Sequence, residues 1–256
     1  MKFVLVAMLV VVAQRCLIGT TARTDKRSES TLDQALRPLY SQIDTFRYQL
    51  DAVKALGSVH CNKASEWQLV FKGMAGKGVK LYGMWTAASW DDNTMGVSGS
   101  WRDESLHDSW KSGELSVRRV KLSLHDFEGR RVDLIFNGIG TDIHNWFTQE
   151  RLISSPWQNL KSSTPDFFST DGYIQEDRRF YINNIHNSCP GDRGWLVVID
   201  SGITADCAWG RPSTAYPYPI ILYSRLTGDV LWNNVISAGD VTVGHADFLT
   251  IHVDAE

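Results

Sequence analysis

The polarity pattern of the chain changes character twice. From Phe3 to Ala13 it is apolar throughout, bracketed by Met1-Lys2 and Gln14-Arg15. That run is shorter than the ~20 apolar residues that cross a bilayer and fits a secretory leader, which needs a positive start and small residues at the cut. Cleavage after Ala22 fits; Ala13 satisfies the same rule with a shorter connecting region. Residues 1–22 are expected to be a signal peptide and 23–29 a polar linker, and no other segment is apolar enough to serve as a membrane anchor.

From Ser30 to Leu56 the pattern is helical. Leu32, Leu36, Leu39, Ile43, Phe46, Leu50 and Val53 recur at alternating spacings of four and three, with no glycine between. Such a seam stays on one side of a helix, as in a short coiled coil or an amphipathic helix packed on its own domain. Ser30 or Thr31 caps the start and Gly57 the end, while Pro38 kinks the helix or delays its firm part to near Arg37. Residues 30–57 are expected to form a helical stalk through which copies of the chain self-associate.

Beyond Gly57-Ser58 the period shortens to two. Trp67, Leu69 and Phe71 alternate with Gln68 and Lys72. Val120, Leu122 and Leu124 pair naturally with Val132, Leu134 and Phe136 across Glu128-Gly129 as a hairpin. Ile220–Tyr223 and Val230–Trp232 flank Thr227-Gly228-Asp229 as a second hairpin signal. Trp195–Ile199 reads as a buried strand, Phe248–Val253 as a closing strand, and Thr148–Ser154 as a short helix. Strands and helices do not alternate, so residues 58–256 are expected to be mainly β, an antiparallel β-sandwich.

Composition adds little to this picture until the charge is counted. Loss of Lys2 and Arg15 with a leader leaves 24 basic against 29 acidic residues and moves the formal charge from −3 to −5. Nucleic-acid binders carry basic stripes, and none is present here. Of the four cysteines, Cys16 falls in the leader, leaving Cys61, Cys189 and Cys207. Cys189 and Cys207 flank the Trp195–Ile199 run, where a bridge would staple the loops at either end. Cys61, beside the stalk, is a candidate interchain disulfide; the alternatives are a buried thiol, or pairing with Cys16 if cleavage follows Ala13.

Catalytic and metal patterns fail individually. Gly96-Val97-Ser98-Gly99-Ser100 lacks the second glycine of a nucleophile elbow, and a calcium loop starting at Asp91 has Met95 and Arg102 in oxygen-ligand slots. No cofactor is called for, although calcium has acids to draw on. The histidines are scattered, and His245-Ala246-Asp247 sits where a strand end is expected. The richest stretch places Trp85, Trp90 and Trp101 among Asp91, Asp92, Asn93 and Asp103. Rings beside carboxylates and amides suit sugar faces and hydroxyls, whereas a surface loop with tucked-under tryptophans explains the same residues. No Asn-x-Ser/Thr acceptor occurs.

A set of motifs runs through the body: Trp67–Gly73, Asn145-Trp146-Phe147, Arg151–Trp157, Arg179–Asn183, Cys189–Val198 and Cys207-Ala208-Trp209. Together they resemble a secreted module of marine invertebrates, chiefly molluscs and cnidarians, some of whose members are associated with extracellular or mineralised matrices. The resemblance covers roughly residues 65 to 253, supports the Cys189–Cys207 bridge and implies matrix or recognition work without supplying catalytic residues or a substrate. The resulting expectation is a secreted, non-enzymatic protein that binds glycan or matrix as an oligomer. A polysaccharide hydrolase using two acids between Asp91 and Asp108, and a defence lectin or toxin, are the alternatives.

Overall fold

Short runs of β-branched and aromatic residues, broken by Gly, Asp and Asn, form twelve strands among the described residues. Those residues are 67–90, 99–202, 207–237 and 239–255 of a computed structural model, so the expected leader, the expected helical stalk and Cys61 lie outside them. In chain order the strands begin with β1 (Gln68–Met74), β2 (Trp101–Arg102), β3 (Val117–His125), β4 (Arg131–Asn137), β5 (Leu152–Ser154) and β6 (Phe167–Ser169). They continue with β7 (Arg178–Ile185), β8 (Arg193–Ile199), β9 (Ile220–Ser224), β10 (Val230–Leu231), β11 (Val243–Ala246) and β12 (Phe248–Ala255). Two short helices, α1 (Leu81–Thr86) and α2 (Glu104–Ser112), sit on either side of β2 in sequence.

Every strand pairing is antiparallel. One sheet runs β2-β1-β12-β3-β4-β5; the other runs β11-β9-β8-β7-β6, with β10 also on β8. The period-2 reading explains how they meet. Val120, Leu122, Leu134, Phe136, Leu249 and Ile251 of the first sheet share one core with Ile182, Leu196, Val198 and Ile221 of the second. The mainly β, antiparallel expectation holds, and the β3–β4 hairpin forms in the expected register, with Leu122 opposite Leu134.

The second sheet is apolar on its other face too. Tyr181, Val197, Ile199, Ile220 and Leu222 alternate with the residues above and form a second cluster with Trp209, Trp232 and Cys207. The uninterrupted apolar sequence of β8 therefore reflects burial on both faces. The Cys189–Cys207 disulfide is formed and joins the loops at the two ends of β8. Beneath it Arg178 is buried, its guanidinium held by Asp192 at 2.9 Å and by Glu176, donating to Cys207 Sγ at 3.4 Å and lying 4.3 Å from the Trp209 ring centre.

Two local expectations are corrected. Thr148–Ser154 is not a helix: Asn137 N–H at the end of β4 donates to Arg151, and the open edge of β4 draws Leu152–Ser154 into the sheet as β5. Thr227-Gly228-Asp229 does not reverse the chain. Ser224 Oγ closes a small excursion by donating to Gly228 and accepting from Leu226 N–H, after which β10 continues along β8 in the direction of β9.

A bridge over a sequence separation of 18 restricts the unfolded chain enough to contribute about 3 kcal/mol. Cys189→Ser combined with Cys207→Ser should lower stability by about that amount in chemical denaturation. An unchanged denaturation midpoint would mean that the roof over the second cluster holds without the bridge.

Candidate functional site

Helix α1 has no cap of its own, since Lys80 makes no side-chain cap hydrogen bond. Its ends are satisfied from far along the chain. Asp200, at the end of β8, accepts from Leu81 N–H and Tyr82 N–H at 2.8 Å each. At the other end Arg102 Nη1 donates to the carbonyls of Met84 at 2.6 Å and Ala87 at 3.0 Å, while its other nitrogens hold Glu104 at 2.7 Å. A carboxylate at the amino end and a guanidinium at the carboxyl end complement the helix dipole. Burial lifts the Asp200 carboxyl to about 6, with the two N–H donors pulling the other way.

Around this anchor lies a charged cluster. Tyr82 donates to Asp171 at 2.6 Å, and burial followed by that carboxylate pushes its phenol up to about 12. Asp177 is contacted by Lys80 at 2.8 Å, Ser201 at 2.5 Å and Arg179 at 3.0 Å. Burial alone would raise its carboxyl, but those donors hold it below the usual range. Asp177 and Asp200 thus have environments that push their acidities apart, the usual mark of an acid–base pair. Geometry assigns them otherwise here, because both Asp200 oxygens anchor α1 and Asp177 binds three side chains.

The residues singled out from sequence fare unequally. Trp85 is fully buried, donates to the Ile143 carbonyl at 2.9 Å and stands edge-on to Phe71, His107, Trp110 and Trp146. It is core, with no face left for a ligand. Asp103 is the N-cap of α2, accepting from Leu106 N–H at 3.0 Å. Trp101 is half-buried on the edge strand β2 opposite Lys72, and Trp90 is half-buried against the main core. Asp91, Asp92 and Asn93 lie outside the described residues. In the His-Ala-Asp triplet, the His245 ring stacks on Tyr216 at 3.6 Å while Asp247 accepts from Phe127 N–H at 2.7 Å.

An open groove among the described residues lies elsewhere, where the end of α2 faces the turn after β4. It measures about 520 Å³ and is lined by Lys111, Leu115, Arg118, Ile139, Thr141 and Asp142, with Ser112 and Ser116 also in the lining. This volume lies in the range of small-ligand sites. Its walls are fixed from behind. Gly113 takes the left-handed conformation (φ 79°) that ends α2. Gly138 allows the two segments to meet, since a Cβ there would lie 2.5 Å from Val117. Trp110, fully buried, donates to the Thr141 carbonyl at 3.1 Å and hydroxyl at 3.2 Å, and Asp142 accepts from His144 and Asn145 N–H groups. Ile139 stands 69% exposed at the rim. No motif marks the groove in sequence, because its halves lie some 25 residues apart and meet only through the β3–β4 hairpin.

Comparison of the chain with family models, with curated proteins and with solved structures gave no match.

The titrating groups set a pH dependence with two opposing parts. Burial, above all, holds His125 and His245 down at about 4, so an unfolded chain protonates them first and stability is lost as pH falls from about 6.5 to 4. Asp200 runs the other way. Between pH 6 and about 4 the folded state takes up a proton that the unfolded chain does not, which adds stability as pH falls. Asp200→Asn should therefore make the melting temperature fall more steeply over this window than in the parent. Parallel melting curves for the two proteins would contradict the placement of Asp200.

Proposed function

We propose that this chain is a secreted, non-enzymatic recognition module that binds glycan in an extracellular or mineralised matrix, displayed as an oligomer on its helical stalk. The observation that carries this reading is the groove between Lys111 and Asp142, whose walls are preset by Trp110 and by the β3–β4 turn. A preset site loses little freedom on binding, which favours recognition of a rigid ring. Its mixture of hydroxyls, carbonyls, charges and a few aliphatic carbons matches the alternating polar edges and apolar faces of sugars. The disulfide suits an oxidising compartment. Asp103, an acid that a hydrolase built on residues 91–108 would draw on, is committed to capping α2, which weighs toward recognition.

Oligomerisation belongs to the same reading. Several weak sites on one assembly engage a repetitive surface far more strongly than one, through effective concentration. The full chain, secreted from a eukaryotic host and applied to a glycan array with and without calcium, should bind a restricted set of glycans, and should run as a linked species on non-reducing gels. Failure to bind any glycan, joined to release of reducing ends from a polysaccharide, would replace recognition by hydrolysis.

A further inference from the structure

Three aliphatic side chains stand out from the surface at one end of the second sheet: Leu226 (47% exposed), Ile236 (54%) and Val241 (69%). Hydrogen bonds gather them. Arg225 N–H donates to the Thr242 carbonyl at 2.8 Å, one step beyond the β9–β11 pairing of Ser224 with Val243, so Leu226 and Val241 leave the ladder side by side. Asn234 Nδ2 donates to Thr242 Oγ1 at 3.2 Å and brings up the end of the turn Trp232–Ile236. Exposed apolar groups scattered singly are ordinary, but several at one place mark a contact surface. β11 ends its sheet, yet no strand can add at this point, because Asp240 Oδ1 already accepts from Thr242 N–H at 2.8 Å and Val243 N–H at 3.2 Å. The contact on offer is made by side chains, and with no ring among them it gives a sugar nothing to stack on.

Two charges border the patch, one on each strand. Arg225, next to Leu226, is exposed and makes no ion pair among the described residues. Asp240, next to Val241, makes none either, and the Thr242 hydroxyl, above all, holds its carboxyl below the usual range. We infer that this patch is an isologous contact between two copies of the chain: Leu226, Ile236 and Val241 pack on their counterparts across a two-fold axis, and Arg225 of each copy meets Asp240 of the other. A two-fold contact has to be self-complementary, and one cation with one carboxylate, each without an ion partner in its own chain, meets that condition. Homodimer contacts are also more apolar than surfaces at large, which fits an aliphatic centre with charge at its margin. Three aliphatic side chains cover less than a stable interface of ~1,600 Å² requires. The contact is therefore weak by itself and acts between copies already held together, and in this it rests on the oligomer proposed above.

The full chain carrying Cys61→Ser, which removes the other candidate linkage, tests the contact by cross-linking and by sedimentation velocity. In that background Val241→Cys should form a disulfide-linked pair under mild oxidation, because a residue beside a two-fold axis faces its own copy. Ile174→Cys, at a position 64% exposed in another turn, should not. Val241→Glu, which sets like charges against each other across the axis, should weaken self-association by about tenfold or more. Ile174→Glu should leave it within about twofold. Arg225→Gln and Asp240→Asn should each weaken it, and the double variant no more than either alone, since both remove the same pair. Linkage at Ile174 as readily as at Val241, or association that Val241→Glu leaves unchanged, would overturn the contact while the oligomer stands. A chain that is monomeric at every concentration, with no linked species even when Cys61 is present, would remove the oligomer and this contact with it.

Discussion

A sheet that is apolar on both faces cannot leave either in water, and this constraint organises the molecule. Leu196 and Val198 point to the first sheet, while Val197 and Ile199 point away from it, so the outer face needs a roof. The 3-10 turns Ala208–Gly210 and Trp232–Ile236 supply it, with Trp209 and Trp232 6.0 Å apart. Segments this short have few backbone bonds of their own, and two devices hold them down. One is the Cys189–Cys207 bridge. The other is Arg178, a buried cation bound by two carboxylates, for which loss of a partner is costly because the remaining charge has no access to water.

The inner face sets a different problem, that of placing large rings without leaving polar atoms unpaired. Trp85 and Trp110 solve it by pointing their N–H groups at carbonyls of residues 141–143. These bonds tie both helices to the segment following β4. The same ties that complete the core thus fix one wall of the groove, and Asp200 and Arg102 fix α1 from its two ends. Core packing and site geometry depend on shared residues, so damage to the aromatic cluster would reach the surface through Thr141.

Elements in which local pattern and tertiary need agree were legible in the sequence. The β3–β4 hairpin, the buried β8 run, the closing strand and the disulfide each rest on alternation, an apolar run or flanking cysteines. Legibility failed where a distant partner decides the outcome. Thr148–Ser154 has a helical look by itself, but the exposed edge of β4 is absent from any local window. Gly228 signals a turn, yet whether a turn reverses a strand depends on which neighbour the next strand finds, and β10 finds β8. Asp103 was readable. An N-cap aspartate followed by Gly113 just past the last helical residue brackets α2 in the sequence, and that signal outranks an acid-beside-aromatic pattern. Trp85 was not readable as core, because composition cannot distinguish a platform from a ring with five aromatic neighbours.

The distribution of tryptophans bears on how this surface recognises anything. Seven of the ten are buried at or below 2% exposure, so most of the ring area that might stack on a ligand already serves the two cores. What remains to a groove built between helix end and turn is charge, hydroxyl and backbone. Exposed charges act weakly one at a time, because solvent and salt screen them at distances near 8–10 Å. A single groove of this kind therefore gains little from a single ring. Repetition on both sides changes that balance: a polymer that presents the same unit at regular intervals, met by several copies of the groove, turns weak contacts into durable attachment. The proposed stalk and the proposed glycan ligand thus support one reading, in which attachment comes from repetition rather than from any single contact.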